Sequence, residues 1–309
     1  KARIKIMVHE LGAAEFARLV EAEWENLKGG DLSLPQADID AIEAYFAPPA
    51  LPDRPEGDAA VRAARLDSRT FSDWLDRNVV THRHPDYAAV TVSLKAIGET
   101  PGDISDAQMD AVADIAERYG FGEIRVSHEQ NLVLPHVARA DLPAVHDALV
   151  AQGLATSNID LISDIIACPG LDYCSLANAR SIPVAQQIAL RFSSLERQRE
   201  IGELKLNISG CINACGHHHV GHIGILGVEK KGGELYQVTL GGAADEHASL
   251  GEIVGRGFGP EEIVDAVETI VETYLSLRHD RAERFIDLYR RLGAAPFKEA
   301  LYGAEARVA

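Results

Sequence analysis

The sequence has few cysteines and no long apolar run. Its 309 residues include only four cysteines, and no uncharged apolar run approaches the roughly 20 residues of a membrane-spanning helix. The first residues also lack the apolar core of a secretory signal peptide. These features argue against a membrane-spanning protein and against a disulfide-rich secreted scaffold, and we expect a cytoplasmic chain.

Positive charge is also scarce. The 30 Lys and Arg residues compare with 47 Asp and Glu residues, which gives a formal net charge of −17. Nucleic acids and anionic membranes attract basic surfaces, so we expect neither as a partner. Apolar residues at 46% and charged residues at 25% are ordinary for a globular protein and exclude wholesale disorder. A chain of this length suggests about two domains.

Residues 1–48 have a helical pattern. Apolar residues recur at helical spacing up to Gly29 and Gly30, and a second short helix is predicted at 38–46. Residues 49–86 begin with a stretch rich in proline, alanine and charge that has no sustained periodicity, and they are predicted to be a linker. Because the chain starts at Lys1, within a helical pattern, we expect it to be part of a longer protein.

Residues 87–157 have the pattern of a compact α+β unit. Apolar and polar residues alternate after Tyr87, as in a half-buried strand, and Ser105 with Gln108 forms a capping box. Strands are predicted at 87–95, 123–128 and 131–134, and helices are predicted from Ser105 to Gly120 and from Asp141, as the cap, to Gly153. This order of elements is typical of a ferredoxin-like half-repeat.

Residues 158–309 are predicted to form a mixed α/β region, which makes the whole chain α+β. Strands are predicted at 204–208, 222–228 and 235–240, and helices at 183–192, 260–277 and 281–292. All four cysteines lie in this region, between positions 168 and 215.

The cysteines form two pairs. Cys168 and Cys174 have the spacing C-x5-C, and Cys211 and Cys215 have the spacing C-x3-C. Disulfides are disfavoured in the cytosol. A structural zinc site usually has spacings from C-x2-C to C-x4-C in both pairs, so the C-x5-C spacing of the first pair weakens the zinc interpretation without excluding it. Two pairs on loops with glycine and proline best fit an iron–sulfur cluster, because four thiolates must converge on it from flexible backbone.

The motifs around these cysteines carry a resemblance to a known family. They are IACPGLDYCSLANAR at 166–180, NISGCINACG at 207–216 and HHHVGHIGILG at 217–227. They resemble the siroheme and [4Fe-4S] signature of the assimilatory sulfite and nitrite reductases, and the last resembles the bacterial hemoprotein subunit of sulfite reductase. Residues 1–24, 87–153 and 158–302 resemble successive segments of the C-terminal half of that enzyme.

The resemblance implies cofactors, ligands and an activity. Cys168, Cys174, Cys211 and Cys215 would ligate a [4Fe-4S] cluster, and Cys215 would also bridge to the siroheme iron as the catalytic ligand. The implied reaction is the six-electron reduction of sulfite to sulfide, with nitrite to ammonia as the close variant. The implied partners are an N-terminal half that carries the substrate-binding cations, and a flavoprotein reductase or a ferredoxin as electron donor. A non-catalytic iron–sulfur electron-transfer module is the alternative from another class.

Other polar residues are candidate cofactor contacts. Asn207 and Asn213 are predicted either to hydrogen-bond the macrocycle or the cluster sulfurs, or to cap their loops. The resemblance places Gln130 and Asn131 towards the cofactor, and the basic side chains Lys95, Arg125, Arg180 and Arg256 are candidate partners of the siroheme carboxylates. For His217, His218, His219 and His222, we favour carboxylate contact, proton supply or packing over independent metal ligation.

Overall fold

The computed structural model describes residues 3–230 and 232–303. Contacts divide the chain into two units, Lys1–Pro52 and Asp53–Ala309. Lys1 and Ala2, at the start of the predicted first helix, and residues 304–309, at the end of the predicted cluster-binding region, lie outside the described residues. The predicted domain boundaries at 48, 86 and 157 stay predictions. Within the described ranges, no helix is both long and apolar enough to cross a bilayer.

The first unit consists of three helices, α1 (Ile4–Leu11), α2 (Ala13–Leu27) and α3 (Gln36–Tyr45). The prediction of one continuous helix up to Gly29 was wrong. Gly12 has a φ of 80°, outside the helical region, so one helix ends there and a second begins at Ala13. None of the side chains of these three helices is fully buried.

Residues 49–86, predicted as a linker, contain regular structure. Helix α4 (Gly57–Asp67), helix α5 (Arg69–Asn78) and strand β1 (Val79–Thr81) occupy most of this stretch. Phe71 and Trp74 of α5 are buried at 2% and 0% exposure, so the stretch belongs to a core. The sequence signal was weak because both helices are short and rich in charge. The Ser68 hydroxyl, which accepts the N–H of Phe71 at 3.2 Å, caps the second of them.

A four-stranded antiparallel sheet with helices follows, as predicted for a ferredoxin-like unit. Its elements are β2 (Tyr87–Val92), α6 (Asp106–Tyr119), β3 (Arg125–Val126), β4 (Leu132–Ala138) and α7 (Leu142–Ala151), and the strand order is β1-β2-β4-β3. The capping box of Ser105 and Gln108 is confirmed. The side-chain cap predicted at Asp141 is wrong. A 3₁₀ turn, Arg139–Asp141, leads into α7, and the Asp141 carboxylate lies 3.5 Å from the Arg54 guanidinium instead.

The remaining elements build a five-stranded sheet covered by helices. They are β5 (Ile166–Ala167), α8 (Gly170–Tyr173), α9 (Ile182–Arg191), α10 (Leu195–Ile201), β6 (Leu206–Ser209), β7 (Ile223–Lys230), β8 (Gly233–Leu240), β9 (Glu252–Ile253), α11 (Ile263–Leu277), α12 (Phe285–Leu292) and α13 (Ala295–Tyr302). The strand order is β5-β6-β7-β8-β9, with β5, β6 and β7 parallel and the other pairs antiparallel. Five elements of at most eight residues have no clear period in the sequence and were not predicted: β5, α8, α10, β9 and α13.

Buried polar groups join the two sheets of the second unit. The Lys95 ammonium donates to an Asp164 carboxylate oxygen at 3.1 Å, with side-chain exposures of 1% and 6%. Asn131 Nδ2 donates to the same oxygen at 3.1 Å. Asn158 Nδ2 donates to the Lys95 carbonyl at 3.0 Å. We call these four residues the polar seam. It fixes the ferredoxin-like sheet against the segment that leads into β5.

Candidate functional site

Two of the cysteines follow adjacent parallel strands. Strand β5 ends at Ala167 and is followed directly by Cys168, and β6 ends at Ser209, two residues before Cys211. Ala167 is paired with Ile208, and the Cys168 N–H donates to the Ile208 carbonyl at 3.1 Å. Because the carboxyl ends of parallel strands lie at the same sheet edge, one member of each cysteine pair is delivered to one place.

The thiols differ in exposure and in hydrogen bonding. None of the four is in a disulfide; Cys168 and Cys211 are buried, Cys174 is half-buried and Cys215 is exposed. The Gly210 N–H donates to Cys168 Sγ at 3.0 Å, and the Ser181 hydroxyl lies 3.4 Å from the same sulfur. A backbone N–H aimed at sulfur stabilises a thiolate and tunes an iron–sulfur cluster.

The sulfur separations bear on the zinc alternative. No three of the four Sγ atoms lie within 4.8 Å of one another. Four thiolates on one zinc ion at about 2.3 Å would lie only about 3.8 Å apart. In a four-iron cube each thiolate binds a different iron, so the sulfurs stand further apart. Four thiolates are the donor set of a [4Fe-4S] cluster, and in this structure no three of them lie close enough together to share one zinc ion.

Glycines let the backbone of the cysteine loops pack closely. A Cβ at Gly210 would lie 2.6 Å from the Ala179 carbonyl oxygen, and one at Gly216 would overlap the Ile208 carbonyl. Two buried polar side chains of β6 bind the backbone of the loop that follows Cys215. Ser209 Oγ accepts the Gly216 N–H at 3.1 Å, and Asn207 Nδ2 donates to the carbonyls of Gly216 and His217 at 3.0 and 3.3 Å.

The loop between Cys211 and Cys215 contains a strained residue. Ala214 has a φ of 57°, in the left-handed region that residues with a Cβ rarely adopt. The Ala214 N–H donates to the Cys211 carbonyl at 3.1 Å, which closes a tight turn between the two cysteines. Strain of this kind is common at functional sites, where the surrounding structure holds it in place.

The two predicted asparagines occupy different positions. Asn207 is buried, and its Nδ2 donates to a backbone carbonyl of the loop after Cys215, which matches the loop-capping alternative. Asn213 is half-buried within the loop between Cys211 and Cys215. Contacts of either residue with the macrocycle or the cluster stay predictions.

The four histidines do not form one group. His217 is exposed. His218 is buried, and its ring centroid lies 3.9 Å from that of His219. His222 is buried and directly precedes β7. Burial, reinforced by the nearby charge of Lys205, lowers the pKa of His222 to about 4, and its Nδ1 accepts the Lys205 N–H at 3.2 Å. His222 is therefore neutral near pH 7 and acts in packing.

Three of the four predicted basic contacts are paired with protein carboxylates. Lys95 belongs to the polar seam, and Arg125, on exposed β3, donates to Glu123 at 2.6 Å. Arg180 lies 3.8 Å from Asp172. The Arg256 guanidinium lies 5.8 Å from the centre of the Tyr302 ring. Contacts between the first three and siroheme carboxylates would compete with these ion pairs.

The side chains of Gln130 and Asn131 also contact protein groups. Gln130 pairs with the backbone of Ala167, and Asn131 accepts the Leu94 N–H at 3.0 Å and donates to Asp164. Sequence analysis assigned both to the cofactor and missed the residues they hold. It also missed Gly210 and Ser209 as contacts of the cysteine loops. The signal was present in the run Ser209-Gly210-Cys211, which places a hydroxyl and a glycine directly before a cysteine.

Two family models match the chain. The nitrite and sulphite reductase 4Fe-4S domain matches residues 160–308, and the nitrite/sulfite reductase ferredoxin-like half domain matches residues 81–152. The chain belongs to the nitrite and sulphite reductase family. The cofactors of this family are a [4Fe-4S] cluster and siroheme. The first matched range contains all four cysteines, and the second contains β2, β3, β4, α6 and α7 but neither α4 nor α5.

Relatives in the family carry both substrate names. The chain is 28% identical over 208 residues to the ferredoxin–nitrite reductase of Synechococcus elongatus, covering 64% of this chain and 39% of that protein. It is 29% identical over 204 residues to the sulfite reductase [ferredoxin] 2 of Mycolicibacterium paratuberculosis, covering 62% of this chain and 36% of that protein. The chain therefore spans well under half the length of these two reductases.

A solved structure has the same fold. The NirA protein of Mycobacterium tuberculosis superposes with a TM-score of 0.63 at 24% identity, over 96% of this chain and 49% of that protein. The predicted α+β class and the ferredoxin-like half-repeat are confirmed by this likeness and by the second family model.

Proposed function

We propose that this chain is the cluster- and siroheme-binding half of an assimilatory sulfite reductase, which reduces sulfite to sulfide with six electrons. The observation that carries the proposal is the delivery of Cys168 and Cys211 to one sheet edge, with the Gly210 N–H donating to Cys168 Sγ at 3.0 Å. Thiolates so placed hold a cluster, and a peptide N–H on a ligand sulfur stabilises its reduced form.

The residues of this chain have distinct parts in the proposal. Cys168, Cys174 and Cys211 would ligate the cluster, and Cys215, the most exposed of the four, would hold both the cluster and the siroheme. When bound, the two cofactors supply the electrons and the iron at which the oxyanion is reduced. Ser209 and Asn207 orient the Cys215 loop through Gly216. The burial of Cys168 keeps water from its sulfur.

The oxyanion needs cations, and among the described residues three of the four candidate basic side chains are already paired with carboxylates. Lys95, Arg125 and Arg180 each pair with a carboxylate, and the formal net charge is −17. Stabilising a developing oxyanion requires positive groups aimed at it. We therefore infer that a further segment supplies them, as the resemblance to a C-terminal half implies.

The cluster is tested by anaerobic reconstitution with iron and sulfide. We expect about four iron and four sulfide per chain, lost together in Cys168→Ala, whereas an Ala substitution at exposed Ser175 retains them. Stoichiometric zinc without acid-labile sulfide would refute the proposal.

The bridging role of Cys215 is tested in enzyme reassembled with its N-terminal half. Cys215→Ser is expected to uncouple cluster and siroheme more than Cys168→Ser does, because only one sulfur touches both. Mössbauer and paramagnetic resonance spectra report the coupling. Unchanged coupling in the Cys215 variant would contradict the assignment.

Substrate and donor are chosen by direct comparison. We propose sulfite over nitrite on the resemblance of residues 217–227, and steady-state rates with both anions decide between them. The ferredoxin in the names of both relatives makes a ferredoxin the first donor to test, with a flavoprotein reductase second. These 309 residues alone are expected to bind siroheme weakly and to show no turnover. A siroheme absorption band is also what separates this proposal from a non-catalytic iron–sulfur module.

A further inference from the structure

Gln130 lies in the turn between β3 and β4 and contacts the other sheet. Its φ of 59° places it in the left-handed region. Its side-chain amide makes two hydrogen bonds with one residue: Nε2 donates to the Ala167 carbonyl at 2.8 Å, and Oε1 accepts the Ala167 N–H at 3.0 Å. The side chain thus pairs with β5 as a neighbouring strand would.

The bonded residue is the last one before a cysteine. Strand β5 is the edge of its sheet, and Cys168 directs its N–H towards β6, where it donates to Ile208. Successive residues of a strand direct their backbone groups to opposite sides, so Ala167 directs its N–H and carbonyl to the open edge. Ala167 is only 4% exposed. Gln130 is the partner that satisfies both groups at that buried position.

Gln130 is itself held firmly. A Cβ at Gly102 would lie 2.9 Å from Gln130 Cβ, so the chain at Gly102 packs against the glutamine stem. Its two neighbours in sequence are also held in place. The Glu129 carbonyl accepts a hydrogen bond from the Lys95 ammonium at 2.7 Å, and Asn131 belongs to the polar seam. A side chain anchored in this way transmits the position of the ferredoxin-like sheet to β5.

We propose that Gln130 is a positioning residue for the cluster ligand Cys168. By fixing the end of β5, it sets the distance between Cys168 Sγ and the Gly210 N–H, and with it the stability and the reduction potential of the cluster. This inference rests on the proposed function, in which Cys168 is a ligand. It assigns to Gln130 a contact with protein, where the resemblance implied a contact with the cofactor.

The test uses the full chain with its reconstituted cluster. Gln130→Met keeps the length of the side chain and removes both hydrogen bonds. We expect iron release to a chelator to be about tenfold faster, as for other residues that orient metal ligands, together with a shifted midpoint potential. Gln186→Met is the matched control, since Gln186 Nε2 also donates to a distant backbone carbonyl, that of Gly98, at 3.1 Å, away from β5. The proposal would be overturned if iron release and the midpoint potential are unchanged in Gln130→Met. It would also be overturned if both change equally in Gln186→Met.

A second readout does not need the cluster. In the cluster-free chain, we expect Gln130→Met to speed alkylation of buried Cys168 about tenfold, with Cys211 unaffected, as followed by mass spectrometry. Gln130→Glu, which replaces the donor by a carboxylate oxygen facing the Ala167 carbonyl, is expected to speed alkylation at least as much as Gln130→Met. Equal rates at Cys168 in all variants would refute the positioning role. Failure of the wild-type chain to take up iron and sulfide would refute the proposed function, while the alkylation pattern would still report on Gln130.

Discussion

The four-stranded sheet of the ferredoxin-like region (residues 53–157) and the five-stranded sheet of the cluster region (158–303) use their outward-facing residues differently. In β2, Val90 and Val92 lie in the core, and Thr91 between them is half-buried. In β6, Leu206 and Ile208 lie in the core, but the alternate residues Asn207 and Ser209 are buried as well. A buried polar residue needs a partner, and here the partner is the loop of Cys215.

This difference shows where the site is built. In β2, the residues that alternate with the core residues Val90 and Val92 are half-buried. The cluster region covers the second face of β6 with backbone, held by Ser209, Asn207 and the glycines that permit close approach. The first region is thus expected to respond to lost apolar volume, and the second to added volume.

The largest effect is expected from Trp74→Ala. Trp74 is fully buried, with its ring 5.2 Å from that of His146, and its truncation is expected to cost about 3–5 kcal/mol. Trp24→Ala is the matched control, since Trp24 is 50% exposed and its loss is expected to cost less than about 0.5 kcal/mol. Chemical denaturation measures both. Equal small costs would show that α5 is a linker helix after all.

Gly216→Ala tests the cluster region in the opposite sense. The added methyl group meets the Ile208 carbonyl, and we expect a loss of about 3 kcal/mol in the unfolding free energy of the cluster-free chain. Gly259→Ala is the control, because its Cβ would find the Glu262 carboxylate at an ordinary 3.5 Å. A Gly216 variant as stable as the control would mean that the loop does not pack on β6 as described.

Acid sensitivity is expected to concentrate in the cluster region at His222. Its pKa of about 4 when folded lies below the roughly 6.5 of an unfolded histidine, so the unfolded chain binds a proton that the folded chain does not. Because of this difference, we expect the free energy of unfolding to be about 3 kcal/mol lower at pH 4 than above about pH 6.5. His222→Gln is expected to flatten this part of the profile.

The control for the acid profile is His128→Gln, at an exposed position of the ferredoxin-like region. It controls for the loss of an imidazole that is not buried. His136 and His146 add to the same trend, because burial lowers the pKa of each. A His222 variant with the wild-type slope would move the acid sensitivity to those two residues.

The smallest effect is expected from Ala214→Gly. Glycine adopts the left-handed conformation without the Cβ penalty, so the substitution is expected to stabilise the cluster-free chain by up to about 1 kcal/mol. Ala177→Gly, at a buried residue outside that conformation, is expected to destabilise by roughly 0.5–1 kcal/mol. Thermal unfolding separates the two signs. Destabilisation by Ala214→Gly would show that the turn gains nothing from relief of strain.

The two regions also differ in how much the sequence predicted. Elements with a clear period, such as β2, α6 and α11, were predicted close to their observed bounds, because burial of one face dictates the pattern. Strand β5 has only two residues and therefore no periodicity. Its pairing with Gln130 is a long-range contact that no local sequence pattern predicts. For the site, spacing alone predicted the cysteines. Lys95 and Asn131 both donate to Asp164, which lies 69 and 33 residues away from them in sequence, so local patterns did not predict this partner.

The pairing of β5 with β6 has a consequence for the order of events as the protein is made. Before that pairing, the chain offers only Cys168 with Cys174, and Cys211 with Cys215, as separate two-thiol segments. Closing the long loop between the pairs costs entropy that is regained only when the parallel strands join. A cluster with four cysteine ligands is therefore a late event, which must wait for the sheet. Conditions that slow strand pairing would leave two half-sites open to other thiol-seeking metals and to oxidants.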